Sequence, residues 1–553
     1  MMTHRLPLLA ATVLATALSA SAQADAPFTH ADTLRGSNTP ERAWWDATFY
    51  DLHVTVHPAD SSISGWNGIT YRVLAAPAMK TEQMQIDLQE PLAIDSIITM
   101  GKRLASRRDG NGFFVTLPAP PAVGSTGTID VYFHGKPRAA KRPPWDGGLI
   151  WQHDSLGNRW TATANQGLGA SVWWPNKDYG ADEPDSQRVA ITVPDSMFDV
   201  SNGRLRTIRH QADGTTTYEW FVVSPINNYD VEINAGQYAH FSEVYWGEKG
   251  PLTMDFWPLA YHVDTARVQF KQAVSMMRCF EWWFGPYPFY EDGYKLVEAP
   301  HLGMEHQSGT AYGNGFKNGY RGRDLSATGW GTKWDFIIVH ESAHEWWGNN
   351  ITAKDGADEW IHESFANYSE ALYTECHYGK AAGAEYQRGT RLLIKNDLPI
   401  INGHYGVNRG GPLDTYYKGG NMLHTIRQVV NNDSVWRATL RGLNAQFYHQ
   451  TVTTAQIESY MSAHTGVDLS KIFDQYLRTN KLPVFEYSIA NGELKYRWTN
   501  VVPGFAMPLR VTLSDAKYGW IKPTAEWQTT PVKLVAPAAF TVDENFYVMV
   551  EKR

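Results

Sequence analysis

One short segment, HESAH at residues 340–344, constrains this 553-residue chain more than any other. Apolar residues recur at helical spacing through residues 334–347, so the segment is predicted to be α-helical. Residues four apart on a helix are separated by about 400° of rotation, so His340 and His344 project from one face, one turn apart. This spacing suits a zinc ion, whose bonds to imidazole nitrogen are about 2.0–2.1 Å long. The intervening Glu341 lies beside the metal rather than on it, where it can accept a proton from water.

A zinc site needs a third protein ligand, and the candidate lies on a second predicted helix at residues 361–378. A turn containing Gly and Asp at residues 348–356 separates the two helices and can bring Glu363 back towards the histidines. Two histidines and one glutamate leave a zinc position open for water, which is typical of a catalytic site. Glu370 falls nearly on the same helix face as Glu363, and it is either a hydrogen-bond partner of a ligand imidazole or an ordinary helix acid.

Composition excludes several classes of protein. Hydrophobic residues make up 43% of the chain and charged residues 19%, with a mean hydropathy of -0.39. These values exclude a polytopic membrane protein and a disordered chain. The net charge of -8 argues against a general nucleic-acid binder, which is expected to have a basic surface. We therefore expect a folded, soluble protein with no nucleic-acid partner.

The first 24 residues have the pattern of a signal peptide. His4 and Arg5 provide a weakly basic start, a mostly apolar run covers residues 6–18, and A-x-A cleavage sites end at Ala22 and Ala24. The apolar run is too short to cross a hydrocarbon core of about 30 Å as a helix. We expect an exported protein, periplasmic or secreted, without stable membrane insertion.

The chain has two cysteines, Cys279 and Cys376. Their spacing matches neither a C-x-x-C pair nor a disulfide framework. Export would permit a bridge between them, but two isolated buried thiols are the simpler interpretation. The sequence therefore favours two unbridged cysteines and leaves a bridge between them open.

Periodicity predicts a multidomain α+β chain whose N-terminal part is rich in strands. Alternation of apolar and polar residues begins near residue 44, is clearest at residues 49–56, and continues to about residue 250. We assign residues 1–24 to the signal peptide and residues 25–250 to an N-terminal β-domain.

The rest of the chain is predicted to contain a mainly helical domain and a small β-domain. Helical periodicity appears at residues 268–284, 334–347, 361–378 and 455–461. These segments place the helical domain at residues 251–480. Beyond Pro483 alternation returns on both sides of an Asn491-Gly492 turn, which predicts a β-hairpin within a small β-domain at residues 481–553.

Several segments resemble the aminopeptidase-N-like family of zinc metallopeptidases, gluzincins that also include leukotriene hydrolase. HESAHEWWGNN followed by WIHESFANYSE resembles the paired zinc helices of that family. LGMEH at residues 302–306 resembles its G-x-M-E-N element, and YYKG at residues 416–419 resembles its Y-x-K-G element. Segments at residues 166–184 and 468–477 resemble further family elements, so the resemblance spans most of the mature chain in the expected order.

The resemblance implies a fold and a set of roles. The implied fold has a saddle-like N-terminal β-domain and a thermolysin-like catalytic domain. Glu305, in the element that contains Gly303 and Met304, would bind the free α-amine of the substrate. Gln166 would be a second contact to that amine, and Tyr416 would donate a hydrogen bond to the oxyanion.

The chain departs from the family pattern at two positions beside Glu305. Leu302 stands where glycine is usual, and His306 stands where asparagine is usual. Many relatives also carry a large helical C-terminal domain that has no counterpart in this sequence, which leads us to expect a more open active-site chamber.

We expect an exported aminopeptidase that binds one zinc ion per chain and hydrolyses the N-terminal peptide bond of peptides with a free N-terminus. Glu305 favours this activity because a carboxylate paired with an α-ammonium places the first peptide bond over the metal. A zinc endopeptidase is an alternative, since the same ligand set serves internal cleavage. A non-catalytic peptide- or glycan-binding protein on the same scaffold is another, although Glu341 and Tyr416 weigh against it.

Overall fold

The computed structural model describes residues 28–77, 83–401, 403–408, 410–515 and 517–553. The signal peptide predicted at residues 1–24 lies outside these residues. Within them, strands predominate up to Trp257, helices from Val263 to Leu477, and strands again from Val484. This organisation confirms the predicted multidomain α+β class. None of the described helices has the length and apolar character needed to cross a membrane.

The N-terminal part consists of strands that form one large sheet and two smaller ones. The large sheet has the order β13-β14-β11-β1-β2-β8-β4-β5, and the smaller ones have the orders β3-β7-β6 and β12-β15-β10-β9. The elements are α1 (His30–Gly36), α2 (Pro40–Ala43), β1 (Trp45–His57), β2 (Ser62–Val73), β3 (Gln83–Asp87), β4 (Ala93–Thr99), β5 (Lys102–Arg103), β6 (Ser106–Asp109), β7 (Gly112–Thr116), β8 (Thr126–Gly135), β9 (Gly148–His153), β10 (Arg159–Ala164), β11 (Ser186–Pro194), β12 (Phe198–Val200), β13 (Arg204–His210), β14 (Thr215–Val222) and β15 (Asn234–Gly236).

The strand predicted at residues 49–56 lies in the middle of the large sheet as part of β1. It pairs antiparallel with β2 and parallel with β11. Tyr50, Leu52, Val54 and Val56 are buried, and the residues between them are more exposed. The alternation in the sequence therefore marks the face that packs into the core.

The central part places helices against a mixed sheet of order β16-β17-β18-β20-β19. The elements are β16 (Phe241–Gly247), β17 (Gly250–Trp257), α3 (Val263–Gln269), α4 (Lys271–Phe284), β18 (Tyr294–Glu298), β19 (Gly303–Met304), β20 (Thr310–Tyr312), α5 (Phe336–Ala343), β21 (Ile351–Ala353), α6 (Trp360–Tyr378), α7 (Lys380–Gly389), α8 (Asp414–Val430), α9 (Asp433–Gln446), β22 (Gln450–Val452), α10 (Thr454–Thr465) and α11 (Ser470–Leu477). The domain boundary predicted at residues 250 and 251 falls in the β16–β17 hairpin, which pairs with β18.

All four predicted helical segments contain helices, but their ends differ. The segment predicted at residues 334–347 is helical only over α5, because the chain turns after Ala343 and reaches Gly348 at a φ of 137°. The start of α5 is set by Asp335, whose carboxylate accepts hydrogen bonds from the backbone N–H groups of Ile337 and Ile338. An acceptor at this position satisfies donors that have no partner within the helix.

The C-terminal part is again made of strands. These are β23 (Val484–Ala490), β24 (Glu493–Thr499), β25 (Leu509–Ser514), β26 (Lys517–Ile521), β27 (Gln528–Pro531) and β28 (Met549–Lys552). The predicted hairpin is confirmed: β23 pairs antiparallel with β24, and Asn491 and Gly492 have φ values of 53° and 76°. Phe485 and Trp498 belong to the same hydrophobic cluster as the helices of the central part, so the two parts share a core.

Of the two alternatives for the cysteines, the favoured one, two unbridged thiols, is wrong. Cys279 on α4 and Cys376 on α6 form a disulfide, with their Cα atoms 6.1 Å apart. The two residues are separated by 97 positions, and nothing in a spacing of that length indicates a bridge. Packing of α4 against α6 brings the thiols together, and the bridge ties the end of α6 to its neighbour.

Replacing both Cys279 and Cys376 by alanine should lower the free energy of unfolding by about 2–4 kcal/mol, because the bridge restricts the unfolded chain. Guanidinium denaturation of the variant and of the wild type, with and without a reductant, measures the effect. The reduced wild type should match the variant. An unchanged midpoint after complete reduction would contradict a stabilising bridge.

Candidate active site

Two neighbouring helices bring the three predicted metal ligands together. His340 lies on α5, His344 follows its last residue, and Glu363 lies in the first turn of α6. The Oε2 atom of Glu363 is 3.6 Å from the Nε2 atom of His340 and 3.5 Å from that of His344. Ligand atoms of a tetrahedral zinc ion lie roughly 3.3–3.4 Å from one another, given bonds of about 2.0–2.1 Å. The three side chains therefore have the spacing of a zinc site.

The second nitrogen of each imidazole faces an oxygen atom. His340 Nδ1 is 2.8 Å from Glu370 Oε1, and His344 Nδ1 is 2.9 Å from the carbonyl oxygen of Trp347. These oxygens can only accept, so each neutral imidazole donates from Nδ1 and directs its Nε2 lone pair towards Glu363. The Oε2 atom of Glu363 is buried without a hydrogen-bond partner. A divalent cation fits the point where these atoms converge. Of the two alternatives for Glu370, the structure supports a hydrogen-bond partner of a ligand imidazole.

Charges around this point favour a cation. Burial lowers the pKa of His344, but the Glu363 carboxylate outweighs burial and the pKa is raised to about 9. Burial by itself would raise the pKa of Glu363. The pKa is nevertheless lowered, because the imidazoles of His344 and His340 stabilise the ionised carboxylate. Both shifts show that the Glu363 carboxylate favours positive charge beside it, which either a proton on an imidazole or a metal cation bound to neutral imidazoles provides.

Glu341 lies beside the imidazoles, and its carboxylate is within 4.8 Å of the ligand atoms of both. Glu363 is the better third ligand because its unpartnered oxygen contacts both Nε2 atoms. Burial raises the pKa of Glu341 to about 7, although the imidazoles oppose the shift. A carboxyl group with this pKa exchanges protons readily near neutral pH.

The edge strand β19 runs directly over Glu341. A Cβ atom on Gly303 would lie 3.0 Å from Glu341 Oε1 and 2.8 Å from Ile337 Cγ2. Glycine permits this close approach because it has no side chain. Met304 follows on the same strand, and both residues line the cavity described below.

Glu305 follows β19 and is 3% exposed. Its Oε1 atom accepts a hydrogen bond from the phenol of Tyr229 at 3.0 Å. Its carbonyl oxygen accepts one from Asn349 Nδ2 at 2.8 Å. The two neighbouring departures from the family pattern are both buried: Leu302 joins the hydrophobic core, and His306 Nδ1 lies 2.8 Å from Glu232 Oε2.

Tyr416 and Gln166 approach from other parts of the chain. Tyr416 lies in the first turn of α8, and its phenol donates to Glu363 Oε1 at 2.8 Å. Burial and nearby carboxylates raise the pKa of Tyr416 well above its ordinary value, so the phenol remains a donor. Gln166 lies in the loop after β10, where Arg35 donates to the carbonyl oxygen of Gly167 at 2.9 Å.

All of the predicted site residues line one cavity of about 330 Å³. These are Gln166, Gly303, Met304, Glu305, His340, Glu341, His344, Glu363 and Tyr416. Other lining residues, which the sequence analysis did not identify, are aromatic or apolar: Trp145, Tyr320, Phe336, Leu413 and Tyr417. The contacts of Tyr229 and Asn349 with Glu305 were also not predicted, because no local motif marks a side chain that contacts a residue far away in the sequence.

The central part of the chain matches a known protein family. Residues 324–476 match the Peptidase family M1 domain. Aminopeptidase N of Lactococcus lactis subsp. lactis is 27% identical over an alignment of 174 residues, and the match covers 29% of this chain and 20% of that protein. Aminopeptidase N of Rattus norvegicus is 25% identical over an alignment of 217 residues, and the match covers 34% of this chain and 21% of that protein. The matches therefore span about a fifth of the length of these relatives.

Solved structures show a similar fold over a longer range. A mutant M1 zinc metallopeptidase from Deinococcus radiodurans has a TM-score of 0.67 and 21% identity, covering 82% of this chain and 98% of that one. Its complex with a Tyr-Ser-Ala substrate has a TM-score of 0.65 and 21% identity, covering 80% and 95%. At this identity the similarity establishes the fold.

Replacing Glu363 by alanine should abolish stoichiometric zinc binding, because the change removes the oxygen atom between the two Nε2 atoms. Metal analysis of the dialysed protein measures zinc per chain. The matched control is Glu385→Ala on α7, which removes an exposed carboxylate that contacts Trp330 and should leave zinc content unchanged. Full zinc occupancy in the Glu363 variant would rule out Glu363 as a ligand.

Proposed function

We propose that this chain, an aminopeptidase-N-like member of peptidase family M1, is a zinc aminopeptidase that removes the N-terminal residue of peptides. One observation carries the proposal: the three candidate zinc ligands line the same cavity as Glu341 and Glu305. The family match at residues 324–476 and the aminopeptidase N relatives support it.

His340, His344 and Glu363 would hold one zinc ion per chain. When bound, zinc supplies a Lewis acid that polarises the scissile carbonyl and lowers the pKa of water. The hydrogen bonds that both Nδ1–H groups donate keep the imidazoles in the orientation and tautomer that a metal requires. The three side chains are therefore already arranged for metal binding before a substrate binds.

Glu341 and Tyr416 would carry the proton transfer and the charge stabilisation. Glu341 accepts a proton from the attacking water and passes it to the leaving amine, a general acid–base role worth about 10²–10⁴-fold in rate. A pKa of about 7 suits Glu341 both for accepting the proton from water and for donating it to the leaving amine. The phenol of Tyr416 donates a hydrogen bond to the oxyanion as charge develops, which is worth about 2.7–4 kcal/mol.

Glu305 would restrict cleavage to the first peptide bond. Its carboxylate forms a charge-assisted pair with the α-ammonium group, and Gln166 shares that group. The edge strand at Gly303 and Met304 lines the cavity and would offer backbone groups to an extended substrate. An internal cleavage site has no ammonium group for Glu305, so this buried acid favours the aminopeptidase over the endopeptidase. Glu341 likewise favours an enzyme over a non-catalytic binding protein.

Export to the periplasm or the extracellular space is part of the proposal. The pattern of residues 1–24 supports it. The bridge between Cys279 and Cys376 also supports it, because disulfides persist mainly in oxidising compartments.

The domain division is also a proposal. We assign residues 25–250 to a saddle-like β-domain, residues 251–480 to a thermolysin-like catalytic domain and residues 481–553 to a small β-domain. The change from strands to helices after Trp257, and back to strands at Val484, supports this division. The pairing of β16 with β17, and of β17 with β18, favours moving the first boundary to just before Phe241, so that the whole hairpin lies in the catalytic domain.

The Glu341→Gln variant should retain zinc and lose turnover by at least about 10²-fold, because glutamine cannot accept the proton of the attacking water. Steady-state hydrolysis of aminoacyl anilides, together with metal analysis of the same sample, tests both parts. Glu385→Gln serves as the surface control. Wild-type turnover in the Glu341 variant would exclude it as the general base.

The wild type should hydrolyse aminoacyl anilides with a free amine and leave their N-acetylated forms intact, because acetylation removes the ammonium charge. Glu305→Gln should lower kcat/KM for the free forms by about 10–100-fold, as expected from roughly 1.5–3 kcal/mol for a charged hydrogen bond. A chelator should abolish both activities. Equal hydrolysis of free and acetylated substrates would instead support the endopeptidase alternative.

A further inference from the structure

The carboxylate of Glu305 is contacted by a side chain from the N-terminal β-rich part. The phenol of Tyr229 donates to Glu305 Oε1 at 3.0 Å across 76 positions of sequence. Tyr229 also lines a second cavity, of about 180 Å³, which shares Gln166 and Gly167 with the active-site cavity. Tyr229 therefore contacts one of the two predicted amine contacts, Glu305, and shares a cavity lining with the other, Gln166.

The backbone around Tyr229 is anchored to the N-terminal part. The side chain of Asn227 accepts a hydrogen bond from the backbone N–H of Tyr229 and donates to the carbonyl oxygen of Gly180. Asn202 Nδ2 donates to the carbonyl oxygen of Asp230 at 3.0 Å. These contacts hold the turn from both sides, so the phenol has a defined position relative to Glu305.

The contact leaves one oxygen of Glu305 available to a ligand. Its Oε1 atom is occupied by the phenol, whereas its Oε2 atom accepts no hydrogen bond from any described residue of the chain. Glu305 nevertheless lines the active-site cavity. Burial, with the charges of Asp230 and Glu305, raises the pKa of Tyr229 well above its ordinary value, so the phenol keeps its proton and acts only as a donor.

We propose that Tyr229 is a positioning residue for substrate recognition, whose phenol orients the Glu305 carboxylate so that Oε2 faces the α-ammonium group of the peptide. The inference rests on the proposed aminopeptidase function. Because the ammonium group is bound in the same way before and during reaction, losing this orientation weakens ground-state and transition-state binding equally. Such a loss raises KM and leaves kcat unchanged.

Tyr229→Phe removes the hydroxyl group and keeps the ring, so it tests the contact directly. With free aminoacyl anilides we expect KM to rise about tenfold, which corresponds to about 1.4 kcal/mol. We expect kcat to stay within about twofold and zinc content to be unchanged. In the Glu305→Gln background the same change should have no further effect on KM, because residues that act through one contact are not additive.

Tyr238→Phe is the matched control. Its phenol also lies in the N-terminal part and donates to the carbonyl oxygen of Glu298 at 2.8 Å, so it acts on the backbone and not on a cavity carboxylate. This variant should bind and hydrolyse the anilides like the wild type. A KM increase of the same size in Tyr238→Phe would show a general structural effect and overturn the inference.

Three other outcomes would also overturn it. These are an unchanged KM in Tyr229→Phe, a full KM effect that persists in the Glu305→Gln background, and a fall in kcat accompanied by loss of zinc. Failure of the proposed function has a different signature. In that case the wild type itself either shows no anilide hydrolysis or cleaves acetylated and free substrates equally.

Discussion

The structure depends most on the convergence of three buried ligand atoms at one point between two helices. Burying the ionised Glu363 beside His340 and His344 is costly unless every polar atom has a partner. The Nδ1 atoms have theirs in Glu370 and a carbonyl oxygen, and a bound cation would supply the partner for the two Nε2 atoms and Glu363 Oε2. The apolar packing around α5 and α6 serves to keep these atoms aligned.

Contacts outside the metal site hold the helices and the edge strand in place. Asp335 caps α5 and also accepts a hydrogen bond from the phenol of Tyr312 on β20, which pairs with β19. One carboxylate thus links the start of the Glu341 helix to the sheet that carries Gly303. The disulfide at the other end of α6 restrains the helix that supplies Glu363.

The residues proposed for recognition and those proposed for chemistry come from different parts of the chain. The proposed metal ligands and Glu341 belong to the central helical part, whereas Tyr229 and Gln166 come from the N-terminal β-rich part. Glu305 lies where the two parts meet and contacts Tyr229. Recognition of a peptide amino terminus would therefore depend on how the N-terminal part packs against the helices, while the proton transfer would depend on α5 itself.

The sequence by itself determined the features that arise from local periodicity. Four-residue spacing placed His340 and His344 on one helix face, and alternation around Asn491-Gly492 specified the C-terminal hairpin. Only the tertiary structure decided which distant residues meet. The Cys279–Cys376 bridge spans 97 positions and the Tyr229–Glu305 contact spans 76, and no local pattern encodes such separations. They form because the packing of whole helices and sheets, set by the sum of many buried contacts, brings these side chains within bonding distance.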